Sequence, residues 1–126
     1  LTPQSVLQLG GHRVQAKDEA AARCLVSDAQ KVEAAGAAAL VLECVPAKVA
    51  AKIAKVLQIP VIGIGAGVDV DGQVLVLQDL LGANPEFKPK FLRKYADLSS
   101  SIGQALDRYH EDVQSGAFPA RCESYA

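Results

Sequence analysis

Two apolar runs of strand length, residues 38–45 and 59–64, flank one segment of helical period. That order restricts the fold more than any other feature of the chain. Neither run alternates between apolar and polar residues. Strands that are apolar throughout are buried on both faces, as in parallel sheets covered by helices. The surrounding segments extend the rhythm to helix, strand, helix, strand, loop, strand.

The local signals agree with this reading. Residues 18–35 predict a helix with Ala21, Leu25, Ala29 and Val32 on one face and Lys17, Asp28, Lys31 and Glu33 elsewhere. Gly36 ends it as a C-cap glycine does. Pro46 suits a helix's first turn, where its missing N–H costs nothing. A helix over residues 47–57 follows, with Val49, Ile53 and Val56/Leu57 as its buried stripe and Lys48, Lys52 and Lys55 facing water. Residues 68–72 read as a turn and residues 74–77 as a third strand. The last third is helical and more polar: one segment over residues 87–95, with Pro89 early in it, and a second helix running to Gln114. Ser99, Ser100 and Ser101 offer that second helix an N-cap. Ile102, Leu106, Tyr109 and Val113 form its apolar face, and Ser115 and Gly116 end it.

Composition excludes several classes. The 126 residues are 50% hydrophobic and 21% charged, enough apolar material for a core and too much for a disordered chain. Thirteen Lys and Arg against fourteen Asp and Glu leave no basic excess to follow a nucleic-acid backbone. The longest apolar run, residues 37–42, is too short to span a membrane, and no signal-peptide pattern opens the chain. The chain has no Met and starts at a Thr-Pro turn, as the interior of a longer sequence would. Cys24, Cys44 and Cys122 stand far apart without a CxxC or a nearby His pair, which argues against zinc. Cys44 reads as a small core residue, and the cysteine usage as that of a reduced, cytoplasmic protein.

Glu43 carries the most information about chemistry. A carboxylate at the C-terminal end of an apolar parallel strand stands where α/β folds place catalytic groups, and burial there suits a carboxyl to general-base work. The competing readings are a solvated loop residue, or a charge that favours the N-terminus of the Pro46 helix. The run Gly63-Ile64-Gly65-Ala66-Gly67 fits neither GxGxxG nor a P-loop. It can be an anion nest, a bare strand end open to a ligand, or a tight turn, and the turn is favoured. Asp69, Asp71 and Gly72 read as a turn rather than a metal loop. His12 and His110 read as surface residues.

Five motifs in order then resemble a known family: Leu1-Thr2-Pro3-Gln4-Ser5; Gly10-Gly11 with Val14-Gln15; Leu42-Glu43-Cys44-Val45-Pro46; Ile59-Pro60-Val61-Ile62-Gly63-Ile64-Gly65-Ala66-Gly67; and Asp71-Gly72-Gln73-Val74-Leu75-Val76. The chain closely resembles the ketopantoate hydroxymethyltransferases of pantothenate biosynthesis. The resemblance implies the C-terminal half of a (β/α)8 TIM barrel, about strands six to eight with their helices, plus C-terminal helices. Three strands cannot close such a barrel, so the complementary N-terminal half is an expected partner. The resemblance implies transfer of a hydroxymethyl group from 5,10-methylenetetrahydrofolate to 3-methyl-2-oxobutanoate. It implies Mg2+ with all its ligands outside this chain, Glu43 as general base, and Ile64, Val74 and Val76 around the substrate. A cytoplasmic homo-oligomer, a decamer in the family, is expected, with neither nucleic acid nor membrane as partner. The tail, Cys122-Glu123-Ser124-Tyr125, departs from the family's Glu-His-Ser-aromatic ending. The alternatives are a non-catalytic half-barrel without the metal site, or another barrel enzyme whose glycine-rich loop holds a phosphate. The lack of Lys or Arg near residues 63–72 argues against the phosphate reading.

Overall fold

A computed structural model describes Leu7 and residues 13–125. His12 and the motifs over residues 1–5 and 10–11 lie outside the described residues. The chain divides into two compact units, one up to Leu75 and one from Val76.

The first unit is an α/β layer: α1 (Glu19–Ala34), β1 (Leu40–Glu43), α2 (Ala47–Val56), β2 (Val61–Ile64) and β3 (Gly72–Gln73). The strands form one parallel sheet in chain order, β1-β2-β3. Asp18 caps α1 by accepting from the Ala21 N–H at 2.8 Å. At the other end Gly36, at φ +92°, closes a Schellman motif: its N–H donates to the Glu33 carbonyl and that of Ala37 to the Val32 carbonyl. The core is Ala29 of α1, Leu42 of β1, Ala50 and Ile53 of α2, and Val61 of β2, closed by Val45, Leu57 and Ala66. Ile53 and Val61 are fully buried at its centre.

Several expectations are corrected here. The buried stripe of α1 runs through Leu25, Val26 and Ala29, and Val32 is exposed. On α2 it is Ala50, Ile53 and Leu57 that are buried, while Val56 is exposed. The first strand shrinks from residues 38–45 to β1. The third strand is not residues 74–77 but Gly72–Gln73, because pairing rather than propensity decides it. The Asp71 carboxylate accepts from the Val61 N–H at 2.8 Å and the Asp71 N–H donates to the Val61 carbonyl at 3.0 Å, so the ladder starts there. It ends where Val74 N–H donates to the Gly63 carbonyl at 3.0 Å.

The second unit holds α3 (Leu77–Leu80), α4 (Ser99–Ser115) and a 3₁₀ turn (Arg121–Glu123). No helix forms over residues 87–95. Pro89 has no N–H, and it biases Lys88 away from helical angles. The following backbone bonds elsewhere instead: Tyr95 N–H to the Leu80 carbonyl at 2.8 Å and Leu98 N–H to the Leu81 carbonyl at 3.1 Å. The Lys94 ammonium closes the intervening loop on the carbonyls of Asn84 and Pro85. The serines do not cap α4 either. Leu98 holds the N-cap position, and Ser99 bonds the Asp97 carboxylate at 3.3 Å from inside the first turn. Gly116, at φ +73°, ends α4, and Tyr109 meets Phe118 edge to face at 5.4 Å. Ile102, Leu106, Tyr109 and Val113 share a face of α4 as expected, yet all four are exposed. No helix among the described residues is long and apolar enough to cross a membrane.

Candidate functional site

The C-terminal edge of the sheet brings three of the four expected site residues into one row. Glu43 pairs in register with Ile64. Gly63 pairs with Gln73, so Val74 follows beside Ile64, tied by its N–H to the Gly63 carbonyl. Side chains alternate along a strand, and registered partners share a face. Leu42 and Val61 belong to the core against the helices. Val41, Glu43, Ile62 and Ile64 therefore occupy the opposite face. A Cβ placed on Gly72 would lie 2.9 Å from Ile62 Cδ1, which shows the Ile62 side chain crossing the backbone of β3 on that face. Val76 is not in the row. It is the N-cap residue of α3 in the second unit and is 51% exposed.

Glu43 is the last residue of β1 and is half-buried, so it has not left the strand for a solvated loop. It does not cap α2, whose N-terminus has no side-chain cap. Ile64 beside it is buried and stands outside the helix-side core cluster. The chain turns immediately after Glu43. Cys44 has φ +53°, in the left-handed region that non-glycine residues rarely occupy. Its N–H donates to the Ile64 carbonyl at 2.9 Å, and its carbonyl accepts from the Gln15 N–H at 3.1 Å. Cys44 is half-buried rather than a core residue, and burial, with the neighbouring Glu43 charge, pushes its thiol pKa up.

The glycine-rich run is a tight turn with a specific packing reason. Gly65 and Gly67 lie at φ +67° and +85°, and a Cβ on Gly67 would fall 2.4 Å from that of Ala47, the first residue of α2. The Gln73 amide donates to the Gly67 carbonyl at 2.8 Å. Gly63 leaves the space that the Val70 and Gln73 side chains fill. Asp71 is spent on the Val61 N–H, in keeping with a turn. His110 is exposed on α4. Among the described residues no three His, Cys, Asp or Glu side chains come together as a metal site.

Gln15 and Gln73 shape this edge, and Glu33 acts at the opposite, N-terminal end of the sheet. Gln15 and Gln73 both stand in motifs that carry the resemblance, yet no role was legible for either, since each acts through one bond to a carbonyl that only the fold brings near. Glu33 was expected off the apolar face of α1, and the structure corrects this. It stands four residues after Ala29 on the inner stripe of α1, and its carboxylate accepts from the N–H groups of Gln58 and Ile59 at 2.5 and 3.1 Å.

The model of one protein family, described as ketopantoate hydroxymethyltransferase, matches residues 1–121. The chain belongs to the ketopantoate hydroxymethyltransferase family. The 3-methyl-2-oxobutanoate hydroxymethyltransferase of Bdellovibrio bacteriovorus is 55% identical over 126 residues, all of this chain and 48% of that protein. Those of Bacillus subtilis and Enterococcus faecalis are 54% and 55% identical, over 99% and 94% of this chain and 45% and 43% of their own lengths. The chain thus spans about half the length of the curated ketopantoate hydroxymethyltransferases it matches.

Proposed function

We propose that this chain supplies the general-base half of an enzyme that transfers a hydroxymethyl group from 5,10-methylenetetrahydrofolate to 3-methyl-2-oxobutanoate. The observation that carries the reading is the place of Glu43: last in a parallel strand, paired with Ile64, on the face turned away from the helices. In a (β/α)8 barrel that face lines the interior, and the C-terminal strand ends hold the chemistry. Three parallel strands in chain order, with helices on one face, suit strands six to eight of such a barrel.

In this reading the Glu43 carboxylate takes the proton from C3 of the 2-oxo acid. The electron pair left behind moves toward the carbonyl oxygen, and C3 then attacks the one-carbon unit carried by the folate. Both carbon–nitrogen bonds that hold this unit on the folate break, and water supplies the hydroxyl oxygen. Of the three protons, one from C3 by way of Glu43 and two from water, two end on the folate nitrogens and one on the new hydroxyl. Ile64 and Val74 offer apolar surface to the branched end of the substrate. The residues present do not fit a magnesium site, since Glu43 has no second and third donor beside it among the described residues. The resemblance assigns the magnesium ligands to carboxylates outside this chain.

The test is Glu43→Gln in the complete enzyme, in which this segment is joined by the remainder that its relatives carry. Loss of a general base costs on the order of 10²–10⁴ in rate. Exchange of the substrate's C3 proton with solvent deuterium is expected to fall by that factor, with 2-oxo acid binding far less changed. Exchange at the wild-type rate would remove Glu43 from the role.

A further inference from the structure

Cys44 turns the chain directly after Glu43, at φ +53°. A left-handed residue that is not glycine is retained where its surroundings over-determine it, and such residues gather at functional sites. Here both backbone groups of Cys44 are held, the N–H by Ile64 and the carbonyl by Gln15, which clamps the turn between two other segments. The clamp lies directly after Glu43 and two residues before Pro46, which opens α2. Gly67 then packs against Ala47 and fixes the start of that helix against the turn after β2. An extended backbone at residue 44 would carry the chain straight on past Ile64. The left-handed turn ends the strand at Glu43 and sends the chain into the helix layer, while the carboxylate stays on the opposite face.

We infer that Cys44 is a positioning residue, acting through its left-handed backbone and not through its thiol, and that it holds Glu43 at the strand end for proton abstraction. This rests on the reading of Glu43 as the base. Three substitutions in the complete enzyme separate backbone, thiol and packing. Cys44→Val is apolar and close in size but β-branched, so it resists positive φ. Cys44→Asn is polar yet accepts positive φ. Cys44→Ala removes the thiol without the branch.

The expected result is a fall of at least tenfold in kcat for C3-proton exchange in Cys44→Val, with KM for the 2-oxo acid within twofold of wild type. Cys44→Asn and Cys44→Ala are expected to stay within about threefold in both constants. If Cys44→Val does not fold, activity in Cys44→Asn still supports the inference and its loss overturns it. Loss in Cys44→Ala would assign the effect to the thiol, and wild-type kcat in Cys44→Val would remove the backbone role. Glu43→Gln measured alongside distinguishes the two failures: wild-type exchange there defeats the base reading itself. A collapse in Glu43→Gln with no change in Cys44→Val defeats only the positioning role.

Discussion

Gly67 rests directly on Ala47, its missing side chain replaced by the first residue of α2. At φ +85°, with only 2.4 Å between an added Cβ and that of Ala47, the position rejects a side chain on two grounds. Left-handed strain costs about 1–3 kcal/mol, and forcing extra volume into a packed contact about 1–3 kcal/mol more. Gly36 supplies the control, since it has φ +92° with nothing within 4 Å of an added Cβ. Gly67→Ala should therefore destabilise the complete enzyme clearly more than Gly36→Ala in denaturant titrations. Equal losses would show that the contact with Ala47 carries no energy.

Glu33 ties the last turn of α1 to the connection between α2 and β2 by accepting from two backbone N–H groups, one of them partly buried. Removing the acceptor leaves the partly buried Ile59 donor unsatisfied, at about 1–3 kcal/mol, while water can reach the exposed Gln58 N–H. Glu33→Ala should lose that much stability, and Glu33→Gln, which keeps one acceptor oxygen, distinctly less. The protection of the Gln58 and Ile59 amides against hydrogen exchange should fall in Glu33→Ala. Unchanged protection there would mean that the two bonds are not formed in solution.

The thiol of Cys44 reports on its neighbour. Burial is the larger cause of its raised pKa and the Glu43 charge the smaller. The folded state holds the thiol proton more tightly than the unfolded state does. Its contribution to stability is therefore fully present below the ordinary thiol pKa and is lost as pH climbs from there through the raised folded value. With Cys24 and Cys122, both exposed, replaced by Ser, alkylation of Cys44 should reach half its maximal rate above the ordinary thiol range. Glu43→Gln should bring that midpoint part of the way down. A midpoint that ignores Glu43→Gln would separate the two side chains.

What the sequence by itself determined is the order of elements around the edge and the place of Glu43. Helical periodicity, Gly36 as a stop and Pro46 as a start are local signals, and each depends on backbone constraints that act within a few residues. Between the two helices they left one apolar run, residues 38–45, with a single carboxylate, Glu43, toward its C-terminal end.

Tertiary structure decided what depends on partners far along the chain. Residues 74–77 have strand composition, yet the third strand forms at Gly72–Gln73 because Asp71 engages Val61, ten residues before it. Residues 87–95 lost their helix to carbonyls at Leu80 and Leu81. The inner face of α1 turned toward Val26 and away from Val32, since the helix rotates to suit the core it meets. The left-handed turn at Cys44 had no local signal, because cysteine has no preference for it. It exists because Ile64 and Gln15 grip the residue from both sides, and neither is its neighbour in sequence.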